Sequence, residues 1–482
     1  MVDWFGGGAQ YRRARPTWRV AVVLLVAGLG LAALLLSMSD IAPASASVET
    51  SRAAQSSAVV AQVTATEVYS VYLPIVFRDF SQQLEPNDPM YLGGQQWGLG
   101  QVHAPRGWYV STGHAVTVAV VDGGVDLDHP DLVGSLWVNP GEIPGNGIDD
   151  DGNGFVDDVH GWDFVDDDGM PDDIYGHGTH VAGIVGATTD NALGMAGMGW
   201  EGKVMAVRVL ETQDGTVQDV AQGIEYAVDQ GAQVINLSLG ACYLDMQEMR
   251  DAVTYAQDAG VLLVAAAGNT SGSCPFYPAA YEDVIGVAAT DSNDQRASFS
   301  TYGSHVYVAA PGVAIQSTTL GGGYGGKSGT SMATPMVSGL AALLWTHCPG
   351  STSSQIAQTI ADGAVDLGAA GWDSYYGWGR IDASSMTCSV STTATSLAAA
   401  AEPSVTEQAS LASFRPGEVI VSLERGTSLQ SLGRWQVLDV NRRGTSYLIH
   451  VPVGSELAAV RQLLAREGVR YAHLNHVLHA VD

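Results

Sequence analysis

Five short runs, 116–121, 204–210, 234–239, 261–267 and 284–289, are rich in apolar and β-branched residues and nearly free of charge. Strands that are apolar on both faces belong in a parallel sheet covered by helices on either side. Between the runs, 219–230 and 245–259 repeat apolar residues at helical spacing. The pattern predicts a doubly wound α/β fold built on a mainly parallel sheet. In such folds the functional site lies beyond the carboxyl ends of the strands, and Asp122, Ser238 and Asn269 fall at those ends.

The rhythm changes past 412. Strands are predicted at 418–423, 436–440 and 446–451, an amphipathic helix at 455–466, and a last strand at 469–478. With a short, weak first helix this makes a small α+β domain of order βαββαβ. Ser/Thr/Ala-rich stretches at 47–85 and 389–412 read as linkers, leaving 86–388 as the main domain and 413–482 as the second. At the start of the chain, Arg12, Arg13, Arg15 and Arg19 precede the apolar run 20–36, and Ala44-Ser45-Ala46 follows. That order is an export signal over 1–46, cleaved after Ala46. The alternative is a retained membrane anchor through 20–36, and either reading places the protein outside the cell.

Composition sharpens this picture in two places. The chain has 21 Lys+Arg against 50 Asp+Glu, a formal charge of −29 that disfavours nucleic acid as a partner. Eleven of the Asp lie between 149 and 173. Within that stretch Asp149, Asp151, Asn153, Phe155 and Asp157 present oxygens at alternate positions around Gly152 and Gly154, the opening of an EF-hand-like calcium loop. His160 stands where the bidentate Glu should be, so the set must be completed elsewhere, with Asp158 and Asp163 as candidates. A solvated acidic loop is the plainer alternative. Four cysteines suit an oxidising destination, and their spacing argues against a zinc site.

Three segments carry the chemistry. They are Val118-Ala-Val-Val-Asp122-Gly-Gly, Tyr175-Gly-His177-Gly-Thr-His180 and Gly329-Thr-Ser331-Met-Ala-Thr-Pro335. A serine hydroxyl is a poor nucleophile until an imidazole takes its proton, and the imidazole needs a carboxylate to hold its tautomer. Asp122 ends a buried strand, where its charge demands a donor such as His177. Ser331 opens the small-residue helix 331–345, with Pro335 expected in its first turn. Taken alone, Ser331 reads equally well as a helix cap and Asp122 as a strand-end turn. His180 is expected to be structural, and HExxH is absent.

In the order Asp, His, Ser, these segments resemble the active-site signatures of the subtilisin-like serine peptidases (subtilases), over roughly 95–383. The resemblance implies a secreted, monomeric endopeptidase acting on polypeptides through an acyl-enzyme. Its catalytic residues would be Asp122, His177 and Ser331, with the Asn269 amide as oxyanion donor. Substrate would lie on Ser238, Leu239 and Gly240, and on Ala267 and Gly268, with Phe276 as a bulky pocket floor that casts doubt on aromatic P1 residues. A second calcium loop would involve Asp131 and Asp190. Of the three disulfide connectivities, Cys242–Cys274 with Cys348–Cys388 is favoured, since the first pair would tie two loops beside the pocket. A catalytically silent, calcium-stabilised peptide-binding protein is the competing reading, although no triad residue is missing.

The segments 416–423 and 469–477 resemble the inhibitory propeptide of subtilases, which normally precedes the protease and here follows it. The expectation is a domain that docks on the protease, as inhibitor or chaperone, with 479–482 lying in the cleft like a cleavage product. A linker of about two dozen residues reaches roughly 25–30 Å, enough for that. An accessory or dimerisation module is the alternative.

Overall fold

The computed structural model describes residues 58–64, 70–76, 83–388 and 413–481, except 425, 428–431, 433, 434, 442 and 443. The expected signal or anchor, most of both linkers, the bulk of the short first helix of the second domain, and Asp482 lie outside the described residues. Among those described, no helix is long and apolar enough to cross a membrane.

The chain divides into two units, one ending at Asp79. In that unit Ala58–Thr64 and Ser70–Val76 pair antiparallel, so part of the stretch read as a linker is a two-stranded sheet. In the larger unit, seven strands form one parallel sheet. Their order is Val308–Pro311, Ile285–Thr290, Leu262–Ala266, Val234–Leu237, Thr117–Asp122, Lys203–Arg208 and Gly161–Asp163. The sheet divides the interior into two cores because alternate side chains face opposite ways. Val118 and Val120 pack with helices His177–Gly186 and Thr330–His347, whereas Ala119 and Val121 pack with Val217–Asp229. Helix Gln247–Asp258 joins the second layer. The expected doubly wound fold is observed. The two short edge strands, Gly161–Asp163 and Val308–Pro311, carry too few residues for periodicity to reveal them.

The C-terminal domain forms a second, antiparallel sheet in the order Gln436–Val440, Ser446–His450, Phe414–Leu423, Val469–Ala480. Helix Glu456–Leu464 packs on the last of these, and Val419, Val421, Ile449, Ala459 and Leu463 make its small core. Its final strand runs two residues beyond the expected end and crosses into the catalytic domain.

Candidate active site

Thr117–Asp122 is an interior strand of the sheet, between Val234–Leu237 and Lys203–Arg208, and Asp122 is its last residue, fully buried. Its Oδ1 lies 2.7 Å from His177 Nδ1 and accepts the Gly123 N–H at 2.7 Å. His177 is the first residue of helix His177–Gly186 and is also fully buried. A carboxylate on Nδ1 fixes the tautomer that leaves Nε2 as the basic nitrogen. Three residues on, His180 Nε2 meets the Gly325 carbonyl at 3.1 Å, consistent with its expected structural role.

Ser331 sits in the first turn of helix Thr330–His347, which packs against helix His177–Gly186 and the Asp122 strand. The helix begins one residue earlier than expected, so Pro335 falls past the first turn. Proline has no N–H, and the carbonyl it cannot serve is that of Ser331. The Ser238 hydroxyl donates to that carbonyl at 3.0 Å. Asn236 Nδ2 donates to Ser238 Oγ at 3.0 Å, and Ser338 Oγ donates to Asn236 Oδ1 at 2.9 Å. A buried polar chain thus holds the nucleophile's turn from beneath. Asn236 opens the segment that the resemblance assigns to substrate, whereas Ser338 carries no sequence signal beyond being polar in apolar surroundings.

Asn269 follows the strand Leu262–Ala266. Its Oδ1 accepts from Thr330 N at 3.0 Å and from Thr330 Oγ1 at 3.1 Å, while Thr330 Oγ1 accepts the Gly268 N–H at 3.1 Å. With the oxygen so engaged, the amide nitrogen must face the other way. It donates to the Val481 carbonyl at 3.1 Å, and Ser331 Oγ lies 2.5 Å from the same oxygen. Ser331 Oγ is also 2.9 Å from the Ser238 carbonyl; the one hydroxyl proton serves one acceptor at a time.

The residues around Val481 complete the cleft. Val469–Ala480 enters between two strands of the catalytic domain and pairs antiparallel with both. On one side Ala480 faces Leu239 and His479 faces Gly240, and Val481 N donates to the Ser238 carbonyl at 3.2 Å. On the other, Val477, Leu478 and His479 face Thr216, Gly215 and Asp214, and Ala480 N donates to the Gln213 carbonyl at 2.7 Å. This second rim is absent from the sequence reading, being a short polar segment with no strand periodicity. Asp482 follows Val481, so the carbonyl on Ser331 is a peptide carbonyl.

One further expectation changes. Ala267 does not line the pocket: it packs with Ala288, Val306 and Ala309, and its carbonyl accepts from His305. Its neighbour Ala266 packs with Val481, because adjacent residues in extended chain face opposite sides. Phe276 and Cys274 also pack on Val481. The disulfides are Cys242–Cys274 and Cys348–Cys388, the favoured pairing, and the first ties the rim strand Leu239–Cys242 to the segment before Phe276.

The acidic loop gathers carboxylate oxygens of Glu142, Asp149 and Asp151 within 4.8 Å of one another. Glu142, which precedes the motif, joins this trio, and its carboxylate also accepts the N–H groups of Asp150 and Asp157. Neither expected completing residue joins that trio. Asp163 pairs with Arg208, and Asp158 accepts from Asn139 and Tyr226, with burial raising its pKa. Asp157 accepts the N–H groups of Asn146 and Gly147, and Asn153 bonds Asp151 and Asp158. Phe155 packs its ring on Trp162 and Tyr226. At the second loop, Asp131 accepts from Asn191 and Met195, while Asp190 accepts the Asn87 N–H. Asp88, which the sequence reading overlooked, accepts the N–H groups of Asp190 and Asn191, and burial raises its carboxyl and that of Asp131. An oxygen-only donor set, with Glu142, Asp88 and Asp131 buried and Asp151 and Asp190 exposed, fits a hard divalent cation.

Residues 113–379 match the Subtilase family. The chain belongs to that family and is a subtilisin-like serine peptidase. Thermitase from Thermoactinomyces vulgaris is 44% identical over 299 residues, which is 62% of this chain and 97% of the relative. A thermophilic serine proteinase from Bacillus sp. (strain AK1) is 43% identical over 63% of this chain and 69% of the relative. Among solved structures, a protease from Pseudoalteromonas arctica PAMC 21717 matches with TM-score 0.54 and 29% identity, covering 63% of this chain and 98% of the other.

Proposed function

We propose that the protein is a secreted serine endopeptidase whose C-terminal domain restrains it by lying in the cleft as a tethered substrate mimic. The observation that carries this reading is the Val481 carbonyl, held between Ser331 Oγ and Asn269 Nδ2 on a strand paired along both rims. In the reaction, Ser331 Oγ attacks the scissile carbonyl carbon while His177 Nε2 takes its proton, and Asp122 stabilises the imidazolium. The carbonyl oxygen becomes an oxyanion on Asn269 Nδ2. Its collapse breaks the C–N bond, the leaving amine takes the proton from His177, and water activated by the same imidazole hydrolyses the acyl-enzyme. Extended pairing along the cleft binds polypeptide through its main chain, with little reading of sequence.

The tether favours restraint, because a linked segment sits at an effective concentration in the mM range. Calcium would be held by Glu142, Asp149 and Asp151 and by the loop carrying Asp88, Asp131 and Asp190. Its part is to hold these loops rather than to join the chemistry. A relative described as extracellular, the halolysin-like serine protease Nep from Natrialba magadii, supports export. A fluorophosphonate probe tests the reading: wild type is expected to label at Ser331 and Ser331→Ala to stay unlabelled. Equal labelling of the two would refute it.

A further inference from the structure

The pocket that receives Val481 is already partly filled by the protein. The two chain segments that wall it present glycines, Gly240 on the rim strand and Gly268 before Asn269, with φ of +156° and +101°. Between two such bare backbones lies a flat slot. The ring of Phe276 occupies it. A Cβ placed on Gly240 would come within 2.5 Å of Phe276 Cε1, and one on Gly268 within 2.6 Å of Phe276 Cδ2. No side chain fits at either position, and the ring touches both walls. Phe276 is only 5% exposed.

The ring is also locked in place. Phe276 pairs with Cys242 and Tyr277 with Ala241 in a short antiparallel ladder, and the Cys242–Cys274 disulfide ties the same two segments. What remains for a substrate is the space beside the ring, bounded by Ala266 and Cys274, with Cys242 and Tyr243 packed against the cluster. Val481 fills it and is left 5% exposed.

We infer that Phe276 is the specificity-determining residue of this peptidase: its ring takes the slot an aromatic P1 side chain would need, and the enzyme cleaves after short aliphatic residues of valine size. The inference deepens the peptidase reading and rests on it. Against a rigid, filled slot the larger substrate must displace a locked ring, whereas a methylene more or less in an open apolar pocket changes rates only about 10- to 200-fold.

The test is a panel of fluorogenic peptides, Leu-His-Ala-X, on the purified full chain, with X as Val, Ala, Leu or Phe. The frame copies Leu478, His479 and Ala480, which already lie in the cleft. Wild type is expected to favour Val over Phe in kcat/KM by at least about 100-fold. The variant Phe276→Ala is expected to move the Phe:Val ratio up by about 10- to 100-fold. Equal use of Phe and Val by wild type would overturn the proposal, with no variant needed. Val481→Phe supplies an independent arm outside the catalytic domain, expected to relieve self-restraint and raise initial activity; a Val481→Phe chain restrained as tightly as wild type would also overturn it. If Ser331 takes no probe and no peptide is cut, the peptidase reading itself falls, which the panel alone would not reveal.

Discussion

The central sheet and the C-terminal sheet are held to their surroundings by different chemistry. The central sheet is sealed by apolar side chains on both faces, from Val118 and Val120 on one to Ala119 and Val121 on the other. The C-terminal sheet has a small apolar core of its own; Leu478 and Val481 at the end of its last strand pack into the protease, and the rest of the contact is rich in polar groups. The Glu248 carboxylate, 4% exposed, accepts from Ser446 Oγ at 2.6 Å and Tyr471 Oη at 2.5 Å. Arg470 forms a two-pronged pair with Asp251, Gln218 and Gln222 both donate to Asp439, and Arg415 pairs with Glu211. An interface of this kind can separate and leave two wetted surfaces, whereas the central core cannot open without unfolding. On the function proposed above, the first sheet is scaffold and the second a removable part.

The contrast is broken most severely at the nucleophile. Ser331→Ala should abolish peptide hydrolysis, by on the order of 10⁶-fold in kcat, while the C-terminal strand stays in the cleft. Asn269→Ala, which removes one oxyanion donor, should lower kcat about 10²- to 10³-fold with little change in KM. Single-turnover hydrolysis of a Val-P1 ester checks both. A larger loss of secondary structure than of activity in either variant would show that the site and scaffold are not separable.

Glu248→Ala acts on the other side of the comparison. It leaves Ser446 and Tyr471 hydroxyls without their charged acceptor, and bonds to charged groups contribute about 1.5–3 kcal/mol each. Inhibition of the protease by its own C-terminal domain should weaken by at least about 100-fold, read as a higher initial rate in the full chain. Activity per labelled active site should not change, because Glu248 lies outside the catalytic machinery.

Legibility follows the same division. The central strands and the triad could be read from sequence because burial on both faces writes uninterrupted apolar runs, and because Asp122, His177 and Ser331 stand inside distinctive segments. The helix of the small domain was readable from its amphipathic spacing and its strands from short apolar runs, although Gln436–Val440 lies largely exposed. Contacts made across long sequence separations were not readable. Glu142 enters the acidic cluster from outside the Asp-rich motif, Asp88 docks on a loop a hundred residues away, and Gln213–Thr216 becomes a rim only when another strand lies on it. The exchange of Ala267 for Ala266 has a local cause, since one residue along a strand reverses the face. Chelation tests the acidic loops: EDTA should lower the melting temperature of wild type by several degrees, since a ligand at 100 times its Kd adds about 2.7 kcal/mol. Glu142→Gln should lose much of that response in a thermal scan with and without added Ca²⁺.

The most gradual effect expected is on pH, and it arises where the two sheets meet. Asp219 lies in the first turn of helix Val217–Asp229, beside Glu418 and Arg415 of the C-terminal domain. Burial, reinforced by the Glu418 charge, pushes its carboxyl up from 3.8 to about 7, against the opposing Thr216 bonds and Arg415 charge. A carboxyl whose pKa is raised in the docked state binds its proton more tightly there than when released. Docking is then strongest below the ordinary carboxylate pKa, weakens as pH rises from about 4 to 7, and carries the full cost of the ionised group above 7. His473, pushed down to about 4 by burial, acts in the opposite sense over 4 to 6.5, because it must stay neutral. The informative quantity is the difference between wild type and Asp219→Asn. Their inhibition constants should diverge between pH 4 and 7, by less than tenfold per unit since one proton is linked, and run parallel above. Curves parallel throughout would mean that docking does not bury Asp219, and that the polar interface is looser than the contacts of Glu248 and Asp251 require.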